Sequence, residues 1–84
     1  PGFDFTPWLT LSTNEKLPEL IDRLGIVLAQ GQIKLSHRQI IENALLQMPI
    51  PLNSQGQLDT TLAERRIRMA IFLVMAAPEY LIKR

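Results

Sequence analysis

The densest group of charges in the chain is Arg65, Arg66 and Arg68. Guanidiniums grouped this closely can hold phosphates through forked, charge-assisted hydrogen bonds, so anion contact is the chemistry the cluster could carry. Near the start of a helix, the same side chains could read a nucleic acid. Glu64 is placed to pair with Arg68 at i,i+4 and partly neutralise the group. No second basic run or stacking aromatic accompanies it. A solvated arginine face is therefore the expectation, and nucleic acid is disfavoured as a partner. His37 is the single histidine, and there is no cysteine. That excludes a disulfide scaffold, a thiol nucleophile and a Cys-based zinc site. His37 follows a candidate cap and is expected to be solvated. Glu15, Glu19 and Asp22 have ordinary amphipathic spacing, as solvated helix residues do. No phosphate-cradling glycine loop, nucleophile elbow or H-E-x-x-H string occurs. No catalytic, cofactor-binding or metal-binding residue is expected.

Composition is that of a globular piece. The chain has 84 residues, 46% of them hydrophobic and 20% charged, which suits one folded domain rather than disorder. Nine Lys+Arg against eight Asp+Glu leave a net charge of +1, so overall charge does not call for a polyanion. No apolar run reaches the ~18–20 residues that span a bilayer. The chain starts at Pro1 rather than Met, which reads as a processed or excised piece.

Three helices must position the cluster. Residues 1–11 read as an extended arm, because Pro1, Gly2 and Pro7 oppose a regular helix; it carries the aromatics Phe3, Phe5 and Trp8. Residues 12–84 read as the helical bundle. The first helix is expected from about Asn14 to Gln30, with Ser12 and Thr13 as cap candidates and Gly31 as the stop. Leu17, Leu20, Ile21, Leu24 and Leu28 make its buried stripe, and Glu19 and Arg23 make an i,i+4 ion pair. The second helix is expected from about His37 to Met48. Ser36 and Gln39 suggest a capping box, Ile40, Ile41, Ala44, Leu45 and Met48 an apolar face, and Pro49 and Pro51 a stop. A loop over 49–58 follows, with turn-forming Asn53, Ser54, Gln55 and Gly56.

The third helix is expected from about Leu62 to Ala77, with Thr61 and Glu64 as a second capping box; Asp59 and Thr60 are further cap candidates. Ala63, Ile67, Ala70, Ile71 and Val74 share one face, and the three arginines lie on the opposite arc. Pro78 breaks the helix, leaving a short C-terminal turn over 79–82. The expected fold is thus all-α, a small three-helix bundle with an extended aromatic N-terminal arm. Its core should hold Leu20, Leu24, Leu28, Ile41, Leu45, Ile67, Ile71 and Val74. The second half of the last helix is apolar all round, so Met69, Phe72 and Met75 need more cover than two helices supply. The arm is expected to supply it, with Trp8 largely buried against this helix. Any remainder of Trp8, Met69, Phe72 and Met75 would form a surface for a parent domain or a twin subunit.

A family resemblance rests on LIDRLGIVLAQGQIKLSHRQIIENAL and on ERRIRMAIFLVMAAPEYLIKR. These stretches resemble the C-terminal end of a large bacterial domain-of-unknown-function family, the one numbered eighteen hundred. Members similarly show a helix closing on Gly, a Ser/Thr-Arg-Gln start to the next helix, and a last helix reading R-x-R-x-A-x-Y-L-x-x-x-S-P-E-Y-L. Here these are Gly31, Ser36-His37-Arg38-Gln39, and Arg66 through Leu81. Phe72 stands where Tyr is common and Ala77 where Ser is common, which removes a hydroxyl. The resemblance covers residues 17–84. It implies the C-terminal helical module of a longer, often exported bacterial protein, with no cofactor and no reaction to carry across. The expected function is a structural or protein-interaction module. The alternatives are a small nucleic-acid binder using Arg65, Arg66 and Arg68, or a fragment of an enzyme whose active site lies outside this chain.

Overall fold

The computed structural model describes residues 6–29 and 33–76. Among these the chain forms three α-helices: α1 (Leu17–Ala29), α2 (Leu35–Leu46) and α3 (Thr60–Met75). Two 3₁₀ segments, Thr6–Ser12 and Asn14–Lys16, precede them. The fold is an all-α bundle in which α1 packs on α2 and α3, and α2 on α3. No helix among the described residues is long and apolar enough to cross a membrane.

The N-terminal segment is not extended over its described part. Thr6–Ser12 winds into a 3₁₀ helix that packs on α3 and α1, with Leu11 and Ser12 buried. Pro7 is compatible with this because a first-turn proline lacks only an amide hydrogen that has no partner there. The Ser12 hydroxyl donates to the Leu9 carbonyl at 2.6 Å. Burial of Leu11 then holds the turn against the bundle. Phe3 and Phe5 of the expected arm lie outside the described residues.

Pro18 explains why α1 begins at Leu17. It occupies the first turn, and the chain before it tightens into the 3₁₀ turn of residues 14–16, with Lys16 N donating to Thr13 O at 2.9 Å. The i, i+3, i+4, i+7 stripe of Leu17, Leu20, Ile21 and Leu24 is buried as its spacing requires. Leu28 packs against the core only in part. The expected stop at Gly31 lies outside the described residues.

Both expected capping boxes are replaced. α2 starts two residues early, at Leu35, so Ser36 sits inside the helix; Lys34 occupies the N-cap position without a side-chain cap bond. The reason is tertiary. Ile33 is buried just upstream, and burying an Ile contributes ~1.5–3 kcal/mol against ~1 kcal/mol for a Ser cap. On α2, Ile41 and Leu45 enter the core, whereas Ile40 faces solvent despite its place in the expected apolar set. Helix α3 also starts early, which puts Thr61 inside it. Its cap is Asp59, whose carboxylate accepts from Leu62 N at 3.1 Å.

The connection before α3 is a compact reversal rather than an open loop. Leu52 and Leu58 form an antiparallel bridge, and Asn53 N donates to Gln57 O at 2.7 Å. The Asn53 side-chain carbonyl accepts from Gln55 N and Gln57 N at 2.9 and 3.0 Å. Gly56 takes φ +79°, a left-handed turn conformation that glycine adopts without strain. Asp59 N donates to Pro51 O at 2.9 Å, which sets the cap in place. Replacing Asp59 by Ala should therefore cost about 1 kcal/mol in urea unfolding, and Asn should retain most of it. A loss below about 0.3 kcal/mol for Asp59→Ala would count against this cap.

The core contains Leu11, Leu17, Leu20, Ile21, Leu24, Ile33, Ile41, Leu45, Ile67, Ala70 and Val74. Six of the eight expected core residues are among them, and Leu28 and Ile71 are partly buried at its edge. The short turn expected after Pro78 lies outside the described residues.

Candidate apolar groove on the last helix

Helix α3 separates the arginine cluster. At ~100° per residue, Arg66 falls about 60° from Ala63, at the edge of the buried arc, whereas Arg65 and Arg68 fall about 160° and 140° away. Arg66 is accordingly 0% exposed. The expectation that all three arginines lie on a solvated face fails at this residue. Its guanidinium donates to Ser12 O at 3.0 Å and Asn14 Oδ1 at 2.8 Å through one terminal nitrogen. The other terminal nitrogen donates to Met48 O at 2.9 Å. Nε is buried without a hydrogen-bond partner among the described residues. Burial pulls the guanidinium below its ordinary pKa, yet arginine stays charged at any ordinary pH. Neutral oxygens thus hold the cation, and it joins the N-terminal 3₁₀ turns, the end of α2 and α3 in one bonded knot. Arg66 cannot serve as an anion contact in this arrangement.

Arg65 and Arg68 are exposed and border a groove of about 370 Å³ lined also by Met48, Met69 and Phe72. Phe72 is 65% exposed, Met69 39% and Met75 40%. Phe3 and Phe5 lie outside the described residues, so only Trp8 of the aromatic segment bears on their cover. Trp8 packs half-buried against the core and is not among the residues lining the groove; neither is Met75. Of the four residues expected to form one partner surface, Met69 and Phe72 come together. Met48, from the end of α2, completes the wall. The sequence assigns Met48 to the apolar face of the second helix, whereas it lies just beyond α2, half-buried against the core; the three-residue spacing of Met69 and Phe72 opposite the buried stripe was readable.

The other polar candidates do not converge on this groove. His37 is half-buried, with Nε2 3.5 Å from the Leu73 carbonyl, at the outer limit of a hydrogen bond. It faces α3 and is less solvated than its helix-start position suggests. Glu19 pairs with Arg23 at 2.8 Å, as the i,i+4 spacing required, and Asp22 of α1 pairs with Arg38 of α2. Such exposed pairs each contribute little, typically ~0.2–1 kcal/mol. Among the described residues no three or more His, Cys, Asp or Glu side chains gather in a way that could hold a metal ion. What the groove can do physically is bury an apolar side chain beside two cations. No family model, curated protein or solved structure matches the chain.

Proposed function

We propose that this chain is a non-catalytic protein-interaction module of a larger protein, and that it docks its partner in the groove along α3. The observation that carries this reading is Phe72, a large aromatic left 65% exposed beside Met69 and Met48 in a chain that already has a packed core. Aromatic and Met side chains with neighbouring Arg are the composition favoured at the centre of protein interfaces. The resemblance of residues 17–84 to the C-terminal end of longer bacterial proteins supports the same proposal, since an over-apolar helix suits a module that rests on another surface. The nucleic-acid alternative has two exposed arginines to draw on instead of three, and an apolar floor between them.

A photo-crosslinking amino acid at position 72 tests the proposal in cells of the source organism. It should give a discrete polypeptide adduct that the same group at exposed Asn53 does not give. No adduct at position 72 would remove the proposal. Phe72→Ser should leave urea stability within about 0.5 kcal/mol of wild type, as surface substitutions do, which separates loss of docking from loss of folding.

A further inference from the structure

We propose that Met69 is an oxidation site, which a hydroperoxide converts to the sulfoxide, and that the sulfoxide closes the groove to apolar ligands. That oxidation also ends partner docking rests on the reading above. The chain has three methionines, Met48, Met69 and Met75. The core cluster is built of Leu, Ile, Val and Ala, with Met48 packed only partly against it. Met69 is 39% exposed and Met75 40%, so oxidant reaches both sulfurs, whereas Met48 is half-buried. Met48 and Met69 line the groove and Met75 does not. Met69 is thus the one thioether that is both exposed and part of the groove.

The chemistry needs no group from the protein beyond the sulfur. A sulfur lone pair attacks the outer oxygen of the hydroperoxide. The S–O bond forms as the O–O bond breaks, and the departing oxygen takes the hydroxyl proton and leaves as an alcohol, or as water when the oxidant is hydrogen peroxide. Sulfur loses two electrons and the peroxide gains them. The product exchanges a flexible apolar side chain for a polar one, and sulfoxide reduction restores it. Beside Phe72 the new oxygen has two fates. Left bare under an apolar ligand, it costs what any buried unpaired acceptor costs. Bonded by the Arg65 side chain, it draws that chain over the apolar floor. Both lower the affinity for an apolar ligand.

The test uses the full chain carrying Met48→Leu and Met75→Leu, in which Met69 is the single thioether; exchanges that conserve volume in this way keep the fold. Under dilute hydrogen peroxide, mass spectrometry should show Met69 gaining one oxygen at a rate within about threefold of the same chain unfolded in urea. Nile red, a neutral apolar dye, should bind the unoxidised chain and lose about fivefold or more in affinity on Phe72→Ser or on oxidation of Met69. Adding Met69→Leu to the same chain should make dye binding indifferent to peroxide. Protection of Met69 by more than about tenfold relative to the unfolded chain would overturn the oxidation site. Dye binding that survives conversion of Met69, or that does not depend on Phe72, would overturn closure of the groove. Loss of helical circular dichroism on oxidation would also overturn it, in favour of unfolding. A position-72 crosslink that never forms in cells, together with a Met69-dependent loss of the dye, would remove the docking reading and support the oxidation site.

Discussion

Replacing Arg66 by Ala should lower stability by about 2–4 kcal/mol in urea unfolding, because it strips the donors from two backbone carbonyls and one side-chain amide and empties the volume of a long stem. The residue is fully buried and its three acceptors, Ser12 O, Asn14 Oδ1 and Met48 O, come from two distant stretches of chain. Two terms compete at this position. A guanidinium taken out of water without a carboxylate carries a desolvation cost, and replacing a buried cation with an apolar side chain can even stabilise a protein. Against that, each buried acceptor left bare costs ~1–3 kcal/mol, and hydrogen bonds to a charged donor are worth ~1.5–3 kcal/mol. With three such bonds formed, the bonded cation wins. Arg66→Met keeps the stem and removes the donors, so it should lose less than Ala but still about 1–3 kcal/mol. Arg66→Lys should fall in the same range, since one ammonium cannot reproduce the fork. An Arg66→Met protein as stable as wild type would show that desolvation outweighs the bonds.

The pH behaviour of Arg66 follows from the direction of its shift. Its folded pKa is lowered by burial, so the unfolded chain binds more protons in the window between the two values, and stability rises with pH there. That window lies just below the ordinary arginine pKa, far on the alkaline side of neutrality. Around neutrality Arg66 should contribute no pH dependence, and the Arg66→Met loss should be the same at pH 6 and pH 8.

Leu24→Ala should cost about 2–5 kcal/mol, the range for a leucine removed from a close-packed site. Leu24 is 0% exposed within the cluster formed by α1, α2 and α3. At ~0.05–0.15 kcal/mol per residue, a domain of this length has only ~4–12 kcal/mol in total, so one cavity removes a large share. Val74→Ala should cost less, about 1–3 kcal/mol, because it deletes two methyl groups rather than three carbons. Ile26→Ala, at a site 67% exposed on the same helix as Leu24, should stay within about 0.5 kcal/mol. Equal losses at Leu24 and Ile26 would mean that α1 does not present the stripe described above.

The sequence by itself determined the three helices and which face of α1 and of α3 turns inward. Leu17, Leu20, Ile21 and Leu24 on α1, and Ala63, Ile67, Ala70 and Val74 on α3, are placed by the 3.6-residue period, and burial of a stripe is the largest favourable term a small chain has. The surplus of apolar side chains at Met69, Phe72 and Met75 was equally legible, because no second stripe exists to cover them. Tertiary structure decided where the helices start. A Ser or Thr cap is worth ~1 kcal/mol and yields to burial of Ile33 upstream of α2 and to the Asp59–Pro51 bond upstream of α3. It also decided the fate of Arg66. The helical period puts that position at the edge of the buried arc, but a charge can stay there only if oxygens meet it. Those oxygens lie 18, 52 and 54 residues away in sequence. Local spacing cannot report acceptors delivered by the end of α2 and by the N-terminal turns, and the same end of α2 supplies Met48 to the groove.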